Sequence, residues 1–492
     1  MARRGHDAGT AEAHELLQER IELLQRLASS RREQAWIVGG TVRDLLAGRP
    51  SLPLDVDVAV CGDASALARS LADETHGAYV PLAAAFGTVR VVGEDGTTYD
   101  VSGTNGAPIE DDLGRRDFTI NAMAVALPDM AAGGTAHVVD PFGGLRDLRE
   151  RVVRMVSEAP LAADPLRLLR AFRFSATLGF GLDPLTLDAI RRLAHLADRP
   201  APERTARELF IVLGTAEAAA QVRTMDEVGL LDNVLPEVAL MRGVTQNAYH
   251  HLDVLGHSLE ALEHLETLLA DLPALVGDEH APRLSAFLFD QIVPDRSRAA
   301  LLKFAELLHD AGKPAMREVR EGKVTFYGHT KLGAGMVRAA CERLRLSARE
   351  TTEAVTWVDR HLVPADLVKT RPLTERRCAR FFRRNGEGGL ALLLLSLADG
   401  MATRGPSSDP ASLDRTREFI REMTAAYYGW AEDRIEEKPL VNGHDIMRAT
   451  GLAPGPGLGR VVAAVREAQL DREISTSDEA LALARDVAAG TS

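Results

Sequence analysis

The stretch "LPLDVDVAV", residues 52–60, sets two acidic residues into an apolar run. It alternates as a β-strand does, and side chains two apart on a strand project to one face. Asp55 and Asp57 therefore stand together, and Val56 points the other way. Burying a carboxylate is costly, so the pair is either a metal site or the solvated acidic face of an ordinary strand. Two adjacent carboxylates suit Mg²⁺, which fills the rest of its octahedron with water and phosphate oxygens. Asp100, in the strand-like "TTYDVS" (97–102), offers a third carboxylate for phosphoryl transfer.

Just upstream lies "VGGTVRDLL" (38–46). Gly39 and Gly40, between a strand and a helix, let backbone N–H groups approach a phosphate, and the helix N-terminus adds a favourable dipole. Arg43 sits one turn in, where it can reach the same anion. A Gly-Gly pair alone is a common tight turn. Followed by an arginine and then by the aspartate pair, it is a more specific arrangement.

The 492 residues are too many for one core. A helical lead covers 1–34. Short strands and helices mix over 35–157, with a hairpin turned at Glu94, Asp95 and Gly96. Beyond 158 the strand signals fade, and the rest is mostly helical, with boundaries near 240 and 437. Hydrophobic content of 46% and charged content of 26% describe a soluble globular protein. No apolar run approaches a membrane span, and the N-terminus lacks the apolar core of a signal peptide. Cys61, Cys341 and Cys378 form no CxxC pair, which fits a reducing cytoplasm. The net charge of −13 repels nucleic acid on average, so an RNA site has to be a local basic patch. One candidate runs from Arg167 to Arg207, with eight arginines against four acids.

Six segments in order carry a family resemblance: "VGGTVRDLLAG", "LDVDVAV", "EDDLGRRDFTINAMAV", "DPFGGLRDLRERVVR", "DPLRLLRAFRFSATLGF" and "ERTAREL". Together, over about residues 35–240, they resemble the class II tRNA nucleotidyltransferases and bacterial poly(A) polymerases. The resemblance implies an α+β fold: a small mixed-sheet nucleotidyltransferase head (35–157), a helical neck and body that bind base and RNA (158–240), then further helical domains. It implies transfer of CMP and AMP from CTP and ATP to the 3′ end of tRNA without a nucleic-acid template. Asp55 and Asp57 would hold Mg²⁺, with Asp100 as a shared ligand or general base. Gly39, Gly40 and Arg43 would meet the triphosphate, and Arg116, Asp117 and Asn121 the triphosphate and sugar. In the neck helix, Asp164 and Arg167 would meet the base edge, with Arg170 and Arg173 along the same face. Ala163 replaces an acidic residue usual before the base-reading Asp, and Asn105 stands where an arginine is frequent. Both departures bear on which nucleotides are added, so poly(A), CC-only and A-only addition stay open.

A second constellation lies downstream. His309 and Asp310 are adjacent in an apolar segment, with His257 before them and Asp399 after. The set resembles the HD-domain phosphohydrolases, and it assigns 241–436 to an HD domain and 437–492 to a helical tail. Mixed His/Asp ligands suit Mn²⁺, Ni²⁺, Fe or Mg²⁺. His329 and His361 would extend the site to a second metal, and Lys313 would meet phosphate. A phosphohydrolase with a nucleotide-binding head, or an RNA-binding protein without activity, are the competing classes. His444-Asp445 has no companion ligands and reads as a helix cap.

Overall fold

The computed structural model describes residues 2–49, 54–83, 88–104, 106–131, 137–370, 372–409 and 411–490; Asn105 lies outside them. Seven strands build the N-terminal sheet: β1 (Gln34–Val38), β2 (Asp55–Cys61), β3 (Ala78–Ala83), β4 (Thr88–Val92), β5 (Thr98–Gly103), β6 (Ala124–Ala126) and β7 (Val138–Val139). Their order is β3-β4-β5-β2-β1-β6-β7, which puts β2 at the centre. Only the β2–β5 pairing is parallel. The expected hairpin joins β4 to β5, with Gly96 at φ +82° in its turn.

The alternation of β2 decides what each face does. Val56, Val58 and Val60 join Ile37, Val91, Tyr99 and Val101 in the larger core. Leu17, Ile21 and Leu24 of α1 (Ala2–Ser30) and Leu67 and Leu71 of α3 (Ala64–Glu74) close over it. On the opposite face Ala59 packs with Val38, Ile109, Leu113, Ala122 and Ala124. Asp55 and Asp57 lie further along that second face, where Asp55 is exposed. The apolar half of the strand fixes the register, because a slip of one residue would bury both aspartates.

The chain divides into two compact units. The first comprises Met1–Glu208 and Thr224–Val234, and so holds both the sheet and the neck helix Leu166–Leu178. That helix buries Leu168, Leu169, Phe172 and Phe174 and stops at Gly179. Asp147, fully buried, ties the sheet region to the segments around the neck. It accepts from Thr119 Oγ1 at 2.7 Å and from Arg154 Nε at 3.0 Å. Arg154 also pairs with Asp183, which caps the next helix, Pro184–Leu193.

The second unit comprises Leu209–Arg223 and Leu235–Ser492. At its centre is helix Gly388–Ala402, buried continuously from Gly389 to Ala398, as befits a helix apolar all round. It packs against helix Val254–Ala270, and helix Arg298–Leu308 is buried along its whole length. Val461, Val465, Ala480 and Ala484 belong to a separate C-terminal core. His444-Asp445 lies in a capping box: Asn442 accepts both backbone N–H groups and Asp445 accepts from Asn442, as the sequence reading expects. This is the expected α+β architecture. Among the described residues no helix is long and apolar enough to cross a membrane.

Buried Asp147 accepts two hydrogen bonds, one of them from a charged group, and losing such bonds costs about 2 kcal/mol even though Arg154 keeps Asp183. Asp147→Ala is therefore expected to lower the unfolding free energy of the first unit by about that much in a denaturant titration. An unchanged midpoint would contradict this account of the Asp147–Arg154 tie.

Candidate functional site

The head site begins at the β1–α2 turn, where α2 spans Gly39–Leu46. Gly39 has φ +69°, and a Cβ there would lie 2.6 Å from both Asp57 Oδ2 and Arg116 Nη1. No other residue fits without moving the carboxylate or the arginine. Gly40 donates its N–H to Asp57 Oδ2 at 3.2 Å. Thr41 Oγ1 donates to the Asp55 carbonyl at 3.1 Å and accepts from the Asp57 N–H at 3.0 Å. The glycine turn is thus stitched to the strand that carries the aspartates.

Burial and the neighbouring Asp100 raise the Asp55 carboxyl above its ordinary range, against the pull of Arg90 and Arg207. Asp57 is pushed up to about 6, chiefly by burial, with Arg116 opposing. Crowded carboxylates raised in this way are short of positive charge, and that fits a divalent cation. Asp100 lies directly opposite Asp57 across the β2–β5 register. Both its oxygens, however, are held by Arg90 of β4, at 2.8 and 2.7 Å. Arg90 was not among the residues singled out from the sequence; its alternation in "TVRVV" would place it on the Asp100 face only once the strand order is known.

The remaining expected residues form a connected network. Arg43 donates to Asn121 Oδ1 at 2.7 Å and to Asp44 at 2.8 Å. Asn121 donates to Asp117 Oδ1 at 3.1 Å, and Arg170 donates to Asp117 Oδ2 at 2.7 Å. Burial pushes the Asp117 carboxyl up, but Arg170, Asn121 and Arg167 outweigh it and hold it at about 2. Arg116 pairs with Asp112 at 3.2 Å. Arg167 donates to the carbonyls of Arg115 and Pro160. Asp164 pairs with Arg204 at 3.1 Å, and Arg173 with Glu208 at 2.5 Å. The last two partners, Arg204 and Glu208, come from the "ERTAREL" segment, whose counter-ion role is not visible in the sequence.

In the second unit, five helices bring the HD residues together. His257 lies on Val254–Ala270, His309 and Asp310 follow Arg298–Leu308, His329 opens His329–Arg343, His361 follows Ala348–Arg360, and Asp399 lies on Gly388–Ala402. His257 Nε2 is 3.0 Å from Asp399 Oδ1, and His309 Nε2 is 3.1 Å from Asp310 Oδ2. His329 Nε2 is 3.4 Å from Asp310 Oδ1 and 3.4 Å from His361 Nε2. Three overlapping ligand groups result: His257/His309/Asp310, His309/His361/Asp399 and Asp310/His329/His361. Asp310 belongs to two of them, through contacts of its two oxygens with different histidines.

The imidazoles are pre-oriented. Nδ1 of His309, His329 and His361 faces the carbonyl of Glu306, Phe326 and Val358 at 2.7, 2.8 and 2.8 Å. An Nδ1–H donated to a carbonyl fixes each ring so that Nε2 is the nitrogen turned into the cluster, the orientation in which histidines bind metal. Burial pushes the His309 imidazole down, but Asp310 and Asp399 outweigh it and bring it up to about 10. Burial and His309 push His361 down to about 4. His309 Nε2 and both Asp310 oxygens are buried without a hydrogen bond, although Lys313 Nζ faces Asp310 Oδ2 at 2.6 Å. Carboxylate oxygens held only by ion-pair contacts, with an imidazole nitrogen beside them, offer lone pairs that fit a bound cation. Gly312 is obligatory, because a Cβ there would collide with the backbone of His329 and Gly333.

Comparison with known proteins follows the same division. Residues 35–154 match the family described as "Poly A polymerase head domain", 179–241 match "Probable RNA and SrmB- binding site of polymerase A", and 254–382 match "HD domain". An A-adding tRNA nucleotidyltransferase of Deinococcus radiodurans is 38% identical over 91% of this chain and 94% of its own length. A CC-adding tRNA nucleotidyltransferase of Thermus thermophilus is 33% identical over 92% and 93%. The solved Thermotoga maritima CCA-adding enzyme in complex with tRNA shares the fold, with a TM-score of 0.59 at 20% identity over 96% of this chain and 95% of that one.

Because the folded Asp57 carboxyl titrates at about 6, a proton competes with a cation below that pH and not above it. Mn²⁺ binding to the head is expected to tighten from about pH 5 to about pH 7 and then level off. The measurement is Mn²⁺ titration of a His309→Ala/Asp310→Ala chain, in which the other ligand cluster is disabled. Affinity independent of pH over that window would contradict the assignment.

Proposed function

The chain belongs to the tRNA nucleotidyltransferase family, and from that premise we propose that it adds CMP and AMP, from CTP and ATP, to the 3′ end of tRNA to build the CCA terminus. The observation that carries the reading is the continuous network from Arg43 through Asn121 and Asp117 to Arg170, beside the Asp55–Asp57 face. It joins a phosphate-binding turn to a helix able to meet the base.

Asp55 and Asp57 hold Mg²⁺. The chemistry the ion supplies when bound is activation of the terminal ribose hydroxyl and charge stabilisation on the triphosphate. Asp100 acts as shared ligand or as base for the hydroxyl proton, for which Arg90 has to release it. The amides of Gly39 and Gly40, Arg43 and Arg116 bind the triphosphate, and Asn121 with Asp117 orients the sugar. Asp164 and Arg167 offer acceptors and donors to the base, with Arg170 and Arg173 along the same helix. Arginine and aspartate can satisfy the edges of both C and A by exchanging partners. The head takes residues 35–157 and the neck and body 158–240. The protein works in the cytoplasm, where its three free cysteines stay reduced.

In the HD domain (241–436), His257, His309, Asp310 and Asp399 would hold a divalent metal, Mn²⁺, Ni²⁺, Fe or Mg²⁺, and His329 and His361 would extend the site to a second. The activity we propose for it is hydrolysis of phosphoesters, 2′,3′-cyclic phosphates among them, with Lys313 meeting the phosphate; a role in holding RNA alone is the alternative. Asp310→Ala is expected to abolish that hydrolysis and to leave nucleotide addition within about twofold, because the two sites draw on different units. Loss of both activities together, in a folded variant, would contradict this division.

A second reading is A-only addition, favoured by the 38% identity to an A-adding enzyme along nearly the whole chain. The test uses transcripts ending before CCA, in CC and in CCA, with CTP, ATP or both. The proposal expects CTP-dependent extension of the shortest transcript and a stop at CCA. Extension of the CC transcript alone, with ATP, would replace it with A-addition, and long A tails with poly(A) synthesis.

A further inference from the structure

Phe174 lies among three of the arginines assigned to the nucleotide, Arg43, Arg170 and Arg173. Its ring is 4% exposed, inside the neck helix Leu166–Leu178. The guanidinium of Arg43, from α2, lies 5.1 Å from its centroid, that of Arg170 5.2 Å and that of Arg173 4.0 Å. Phe118, fully buried, meets the same ring edge-on at 5.7 Å and 79°. Favourable cation–π contacts occur about once in 70–80 residues of an ordinary protein. Three on one ring is an unusual concentration.

The chemistry explains what the ring does. Guanidinium ions stack on aromatic faces and are more weakly hydrated than ammonium, so they tolerate partial burial there. Like charges around one point repel, and each arginine here has its own acid: Asp44 for Arg43, Asp117 for Arg170 and Glu208 for Arg173. Those acids lie on different elements and fix one end of each guanidinium. The ring supplies the common surface that fixes the rest. Arg43 belongs to the phosphate end of the proposed nucleotide site, and Arg170 and Arg173 to the base end.

We propose that Phe174 is a positioning residue that holds the phosphate-side Arg43 and the base-side Arg170 and Arg173 at a set separation, so that a nucleoside triphosphate is gripped at both ends by one preorganised unit. The inference rests on the roles given above to those arginines. Phe118, packed edge-on, keeps the ring from turning. Without the aromatic faces the arginines keep their charges and acid partners but lose their common alignment. Binding of every nucleoside triphosphate then weakens, and selection between right and wrong base weakens with it. The tRNA itself contacts none of this buried ring.

The experiment compares full-length Phe174→Leu, which keeps bulk and removes the ring, with Phe174→Tyr, which keeps both faces. Phe174→Met stands in if the leucine variant proves too unstable to assay. ATP and CTP affinity, KM for each nucleotide, KM for tRNA, misincorporation from GTP and UTP, and thermal unfolding are measured together. Phe174→Leu is expected to raise KM for ATP and CTP by roughly tenfold and to increase misincorporation, with KM for tRNA unchanged and recovery in Phe174→Tyr. Unchanged nucleotide affinity would overturn the proposal. So would nucleotide and tRNA affinity falling together in step with the unfolded fraction, because that is a purely structural role. Arg43→Ala separates the levels: if it leaves nucleotide affinity intact, the arginine assignments fail first; if it weakens binding and Phe174→Leu does not, only the inference about Phe174 fails.

Discussion

The contact between the Gly40 amide and the Asp57 carboxylate, 3.2 Å long, is the constraint from which the head site is built. It exists because β2 alternates. Val56, Val58 and Val60 belong to the larger core, and that burial turns Asp55 and Asp57 toward the glycine turn. It also exists because Gly39 leaves no side chain between the turn and the carboxylate. Apolar burial thus sets where the charges lie, and the backbone of the turn sets how near an anion can come to them. Burial and repulsion from neighbouring carboxylates raise both carboxyls, which is the electrostatic condition that the proposed cation would relieve.

A chain with a net charge of −13 has to handle phosphate locally. Three arginines proposed for that work in the head and neck are paired, Arg43 with Asp44, Arg170 with Asp117 and Arg173 with Glu208, and so is Arg90, with Asp100. Half-buried pairs of this kind hold guanidinium planes in fixed orientations, and preorganised cations are what phosphoryl transfer draws on. The second unit sets imidazoles beside two carboxylates, Asp310 and Asp399. Backbone carbonyls fix the Nδ1 side of three imidazoles, so Nε2 of each faces Asp310 or Asp399 before any metal binds.

Much of this was legible in the sequence because it depends on short-range periodicity. The two-residue spacing of Asp55 and Asp57, the glycines before Arg43 and the His309-Asp310 pair each sit on one element whose geometry the letters specify. The hairpin at Gly96 and the capping role of His444-Asp445 followed from turn chemistry in the same way, although Asn442 as the cap itself did not. What was not legible depends on neighbours distant in sequence. Arg90 meets Asp100 only because β4 lies beside β5. Glu208 and Arg204 reach Arg173 and Asp164 only through the folding of the neck. Phe174 reads as one more apolar residue of an amphipathic helix until α2 brings Arg43 to its ring.

The central claim is that nucleotidyl transfer belongs to the Asp55–Asp57 face and hydrolysis to the histidine cluster. It is tested most directly by measuring both activities in one preparation of Asp57→Ala, alongside its unfolding midpoint. The account predicts that nucleotide incorporation into a tRNA transcript falls at least about a thousandfold, while metal-dependent phosphoester hydrolysis and stability persist. Incorporation that survives the substitution would contradict it.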